Sequence, residues 1–250
     1  MNSKKKILFC LQVLGHPRDS KRISMLESFG YDIDGIGFDR PYHKGRVPSC
    51  SVNILGRISN RDYFRRFFVF VFSIPRIRAI ARDYDLIYCS GQDMFYLAFV
   101  SCLGLNIPLV AEVGDLTPLQ TSSSPVSHIF RLIDSLFCSQ LSLLVVISEG
   151  FRDIYYRTWL NCEASTVVLH NKILDTDFNI LSGHTSTLCI PQCADTSLIR
   201  IGYFGLLRDN WSISVLYKLA TQYPDQFEIY LAGLPQLNYD LVSHIQACSN

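Results

Sequence analysis

KILFCLQVLG at residues 6–15 runs directly into HPRDSKR at residues 16–22, and the reading of this junction decides the fold. An apolar run of strand length that shows no alternation of polar and apolar residues suits a strand covered on both faces, the condition of a parallel sheet. Gly15 ends the run and Pro17 stands where a helix would open, so residues 19–29 read as a helix and residues 32–38 as the next strand. Working outward, the same rhythm returns. Strand-length segments at 85–89, 108–113, 143–148 (LLVVIS at its heart) and 166–169 are separated by helix-period stretches at 93–103, 126–141 and 149–160. Strand and helix in alternation predict an α/β fold with a doubly wound parallel sheet.

Residues 171–196 break that rhythm with Ser, Thr, Gly and Pro, as in SGHTSTLCIPQCADTS, and read as a linker. A new unit then opens with a strand at 199–204, a helix at 212–222, a strand at 227–232 and the start of a helix at 238–248. The expected division is a complete Rossmann-like domain over residues 1–172, a linker over 173–198, and the beginning of a second domain over 199–250. Two strands and two helices leave sheet edges and an apolar face uncovered, so the chain reads as C-terminally truncated.

Composition agrees with a globular chain: of 250 residues, 48% are apolar and 18% charged, which excludes disordered and fibrous classes. The net charge of +1 conceals an asymmetry. Residues 1–80 hold 15 basic and 6 acidic side chains, and residues 81–250 hold 8 and 16. One part of the molecule is suited to an anionic partner, whether membrane, phosphate or nucleic acid. Nine scattered cysteines, an odd number without framework or zinc spacing, read as small buried hydrophobes of a reducing cytosol, with no metal site. The uninterrupted apolar run at 67–72 is far short of the ~20 residues of a membrane span. No P-loop, G-x-G-x-x-G, H-E-x-x-H or G-x-S-x-G pattern occurs.

Four constellations could carry chemistry. The turn after the first strand, with Gly15, His16, Arg18, Lys21 and Arg22, places free helix N–H groups and basic side chains at the mouth of the sheet, where an anion could be held. Residues 57–82 interleave seven arginines, among them Arg61, Arg65 and Arg66, with Phe67, Phe68 and other apolar residues around Pro75, a pattern that fits either a helix lying on an anionic membrane or a core helix with a basic outer face. No nucleic-acid-binding module accompanies the charge. Glu112 and Asp115 leave the mouth end of a strand three residues apart, suited to general-base work or to orienting a sugar hydroxyl, unless Asp115 merely caps a turn. Gly205 and Arg208 occupy in the second unit the place that the Gly15 turn holds in the first, suited to close backbone approach and diphosphate binding.

In order along the chain, Pro17-Arg18 with Lys21-Arg22, Leu26 and Gly30, then Glu112-Val113-Gly114-Asp115-Leu116, then Ser148-Glu149-Gly150-Phe151, then Gly202-Tyr203-Phe204-Gly205 resemble segments of bacterial family-four-like glycosyltransferases with the GT-B fold. The resemblance implies an acceptor-side N-terminal domain and a C-terminal domain for a nucleotide-sugar donor. It implies Asp115 or Glu112 near the acceptor as the catalytic carboxylates, Gly15, Gly205 and Arg208 near the donor diphosphate, and His16, Arg18, Lys21 and Arg22 for acceptor or anion binding. Many relatives have His or Arg where this chain has Gly114. The family's E-x7-E element is absent, and the resemblance places it in a missing part of on the order of a hundred residues. The implied protein transfers a sugar to a lipid-linked glycan acceptor of lipopolysaccharide or capsule, needs no cofactor, binds no nucleic acid, and lies in the cytoplasm on the inner face of the membrane through Arg61, Arg65, Arg66, Phe67 and Phe68. As 250 residues it is expected to be weak or inactive. The alternative is a non-catalytic acceptor- or membrane-binding module.

Overall fold

The computed structural model describes residues 4–39, 48–58, 63–172, 198–207 and 209–235. The chain divides into two compact units, 1–178 and 179–250.

The first unit is a seven-stranded parallel sheet in the order β3-β2-β1-β4-β5-β6-β7. Its strands are β1 (Lys6–Leu11), β2 (Asp32–Asp39), β3 (Ser51–Arg57), β4 (Leu86–Ser90), β5 (Leu109–Val113), β6 (Leu143–Val146) and β7 (Thr166–Val168). Between them run α1 (Pro17–Ser28), α2 (Tyr63–Ala81), α3 (Gln92–Ser101), α4 (Pro118–Thr121), α5 (Pro125–Cys138) and α6 (Phe151–Trp159), the last wound as a π-helix. The chain leaves β1 toward β2 in one direction and leaves β4 toward β5 in the other. The crevice of a doubly wound sheet therefore lies at the carboxyl ends of β1 and β4.

The sequence lacks alternation in β1 because both faces are apolar. Ile7, Phe9 and Leu11 pack with Ile23 of α1 and with Tyr88, Val110 and Val145. Leu8 and Cys10 face the other way, into a core with Ile77, Met94, Phe95, Cys138 and Tyr155 from the helices of the second layer.

Strand β3 was not foreseen. Its SVNILGR is largely exposed at the sheet edge, so it has neither a buried run nor clean alternation to announce it. The helix expected at 149–160 is found at 151–159 in π form. Helix α2 runs on through Pro75. Proline removes the N–H that would serve the carbonyl of Val71, but Val71 is exposed, so water can take its place.

The second unit contains β8 (Ile199–Leu207), α7 (Asn210–Gln222) and β9 (Phe227–Pro235), with β8 and β9 parallel. Leu207 and Ile213 form its small core with Tyr203 and Leu231. Gly205 pairs with Gly233. A Cβ on Gly233 would lie 1.6 Å from the Gly205 carbonyl oxygen, so only glycine allows the strands to approach there. The helix expected at 238–248 lies outside the described residues.

Candidate functional site

Four structural features converge at the mouth of the first unit. Gly15, at φ 78°, turns the chain from β1 into α1 and puts the first turns of that helix over the crevice. Gly91, at φ 83°, makes the matching turn out of β4. Its missing side chain leaves room for Gln12, whose Oε1 would lie 2.6 Å from a Cβ there. The exits of β1 and β4 are thus interlocked.

Below the mouth, Arg22 of α1 donates from Nε and Nη2 to the two oxygens of Glu112, each at 2.9 Å. The Tyr88 hydroxyl, from β4, donates to the same carboxylate at 2.5 Å. Glu112 is 2% exposed. Burial by itself would raise its pKa, but the Arg22 hydrogen bonds and charge, with the Tyr88 hydroxyl, outweigh that and hold it below the usual carboxylate range. Burial and the adjacent carboxylate push the Tyr88 phenol well up. Glu112 is therefore an ionised carboxylate with both oxygens engaged, suited to fixing Arg22.

Asp115, three residues on, is exposed where the chain leaves β5. Its loop is anchored from below: the Thr117 N–H donates to Gln120 Oε1 at 2.9 Å, and Gln120 Nε2 donates to Asp134 Oδ2 at 2.9 Å. Asp134 also accepts from the Tyr96 and Tyr155 hydroxyls. Burial raises its carboxyl to about 6.

Arg18 crosses the same exit. A Cβ built on Gly114 would lie 1.3 Å from Arg18 Nη1, so the guanidinium fills the place a side chain at 114 would take. Arg18 Nε is buried without a hydrogen-bond partner among the described residues. Lys21, one turn further along α1, donates to the carbonyl of Lys172 at 3.0 Å and lies 3.5 Å from Asn171 Oδ1. Arg18, Lys21 and Arg22 thereby line one wall of a cleft of about 170 Å³, with residues 169–172 after β7 on the other and Glu112 at its base.

Asp19, which sequence reasoning did not single out, is 2% exposed. It accepts from Ser90 Oγ at 2.5 Å and lies 3.9 Å from His16 Nδ1. Desolvation raises its pKa to about 6, against the opposing Ser90 hydrogen bond. Its place in the first turn of a helix starting at Pro17 was a usable signal. Tyr88 carried none, being one more apolar residue of a buried strand.

The structure thus brings together Gly15, His16, Arg18, Lys21, Arg22, Glu112 and Asp115. Gly205 belongs to the other unit, at φ 126° in β8. Arg208 and Arg61 lie outside the described residues. Among the residues expected at a membrane, Arg66 is paired with Asp93 of α3 and lies over the Phe70 ring. Arg65 is exposed, and Phe67 and Phe68 are 63% and 53% exposed. No described helix is long and apolar enough to cross a membrane. Among the described residues no group of three or more His, Cys, Asp or Glu could hold a metal.

No family model matches the chain. Over 240 residues, 92% of its length, it is 25% identical to the succinoglycan biosynthesis protein ExoL of Rhizobium meliloti, of which the match covers 58%. Among solved structures it resembles a sucrose-phosphate synthase from Thermosynechococcus elongatus, with a TM-score of 0.60 at 12% identity over 91% of this chain and 62% of that one. It also resembles Anabaena HepE, solved in complex with UDP and glucose, with a TM-score of 0.54 at 17% identity over 98% of this chain and 65% of that one. The chain spans less than two thirds of the length of each. Its α/β fold is that of the GT-B glycosyltransferase structures.

Proposed function

We propose that this chain carries the acceptor-side part, and the opening of the donor-side part, of a glycosyltransferase that builds a cell-surface polysaccharide on a lipid-linked glycan. The observation that carries the reading is the crevice at the carboxyl ends of the strands, where the Arg18 guanidinium lies against Gly114 and an exposed carboxylate, Asp115, follows on the anchored loop. The likeness to a succinoglycan biosynthesis protein supports the polymer, and the likeness to a protein solved with UDP supports a nucleotide-sugar donor.

In this reading residues 1–172 form the acceptor domain, 173–198 the linker, and 199–250 the start of the nucleotide-sugar domain. Asp115 orients the acceptor hydroxyl and receives its proton as the oxygen bonds to the sugar's anomeric carbon. The bond from that carbon to the diphosphate breaks, and the nucleoside diphosphate leaves with the electron pair. Its charge meets the Gly15 turn at the start of α1. Glu112 acts through Arg22, which it fixes. The exposed phenylalanines of α2, with Arg65 beside them, rest on the anionic inner face of the cytoplasmic membrane, where a lipid-linked acceptor would be presented.

The test joins the chain after Asn250 to the part of the succinoglycan protein that follows the matched region. The fusion is supplied with radiolabelled UDP-glucose and a polyprenyl-diphosphate-linked saccharide. Label is expected in the lipid fraction. A fusion that folds and binds UDP and the acceptor but moves no sugar contradicts the transferase reading and leaves a binding module.

A further inference from the structure

The cleft between α1 and the chain leaving β7 is richer in positive charge than its structure needs. Arg22 is neutralised, since both oxygens of Glu112 are spent on it. Among the described residues Glu112 is also the only carboxylate lining the cleft, whereas Arg18, Lys21 and Lys172 line it as well. The hydrogen-bond acceptors found for Lys21 are neutral oxygens, the Asn171 side-chain carbonyl and the Lys172 main chain. Among the described residues Arg18 Nε is buried with no acceptor, at a cost of about 1–3 kcal/mol for an unmet buried donor. Gly114 leaves open the space that the Arg18 guanidinium occupies, since a Cβ there would lie 1.3 Å from Nη1.

We infer that this cleft is a phosphate site for the acceptor, in which Arg18, Lys21 and Lys172 hold a phosphate monoester or diphosphate, and that Gly114 is glycine so that Arg18 can reach it. The inference rests on the acceptor-side reading above and names the chemistry of the acceptor. Among the described residues, three cations against no free carboxylate favour a group carrying two or more negative charges over a single carboxylate. A guanidinium offers paired N–H donors that match two phosphate oxygens. A cleft of about 170 Å³ has room for a phosphoryl group, and the rest of the acceptor extends out toward the mouth.

The test is calorimetric titration of the 250-residue chain with pyrophosphate, farnesyl diphosphate, glucose 1-phosphate and glucuronate at fixed ionic strength. Pyrophosphate should bind at least tenfold more tightly than glucuronate. Arg18→Gln, Lys172→Gln and Gly114→Ala should each weaken it about tenfold. Lys172 is exposed after β7, so its variant stays readable if a change at Arg18 or Gly114 unfolds the chain. Farnesyl diphosphate binding as tightly as pyrophosphate assigns the phosphate to a lipid carrier; preference for glucose 1-phosphate assigns it to a phosphosugar. Absence of pyrophosphate binding, affinity unchanged by Lys172→Gln, or glucuronate bound equally well overturns the inference. Phosphate binding by a fusion that transfers no sugar would sink the transferase reading instead, and transfer by a chain that binds no phosphate would sink only this site.

Discussion

Arg22 and Glu112, ninety residues apart in sequence, meet through two contacts of 2.9 Å each and tie the first helix to the fifth strand beneath the crevice. Leaving one charge of such a pair buried alone costs about 3–5 kcal/mol, whereas replacing both with apolar residues of similar volume is often neutral. Arg22→Gln and Glu112→Gln should each lower stability by about that amount, and Arg22→Met with Glu112→Leu should recover most of it. Tyr88→Phe removes one donor and should cost about 1–2 kcal/mol. Denaturant unfolding of the four variants checks this; single variants within about 0.5 kcal/mol of the parent would show that the pair is not what fixes α1.

What the sequence shows of this arrangement follows from where each signal resides. The strands β1, β5 and β6 are legible because burial on both faces leaves unbroken apolar runs, and the turn at Gly15 is legible because glycine and proline punctuate it. Glu112 and Arg22 were both visible as charged residues near the mouth, but their union was not, because it depends on sheet order, which brings β5 under α1 through strands far apart in sequence. The role of Gly114 was hidden for a similar reason. A missing side chain gives no sign of the neighbour that fills its place, and Arg18 is identifiable as that neighbour only in three dimensions.

Two buried carboxyls make stability rise on mild acidification. Asp19 and Asp134 have folded pKa values of about 6, in both cases because burial disfavours the charge, against about 3.9 for an unfolded Asp. Between those values the folded chain holds protons that the unfolded chain has released, so stability grows as pH falls from 7 to 5, by about 1 kcal/mol for each group. Glu112 acts in the opposite sense: its stabilisation is present above its unfolded value and is lost as pH falls through its lowered folded value. The optimum set by these groups should therefore lie near pH 4, about the unfolded carboxylate values, below which Glu112 begins to lose its stabilisation. Asp19→Asn and Asp134→Asn should each flatten the rise between pH 7 and 5. A parent protein that loses stability steadily over that range would contradict the assignment.

Vesicle binding should depend on both charge and the exposed rings of α2. Phe67, Phe68 and Phe72 are 63%, 53% and 77% exposed, and α2 contains four arginines and no acidic residue. Sedimentation with vesicles containing anionic phospholipid should capture the chain, and added salt should release it, since screening shortens the reach of surface charge to under ~10 Å. Phe68→Ser with Phe72→Ser should weaken capture several-fold without changing the melting temperature by more than a few degrees. Equal capture by neutral vesicles, with no release by salt, would remove the anionic surface from the account.

The most direct test of the account is the turnover number of the fusion described above with Asp115→Asn. Asparagine keeps the size of the side chain and its place on the anchored loop but cannot take up a proton. If Asp115 serves the acceptor hydroxyl, turnover should fall about a hundredfold or more while the affinity for UDP stays within twofold of the parent. Turnover within a few-fold of the parent would contradict the placement of the acceptor at the mouth of this sheet.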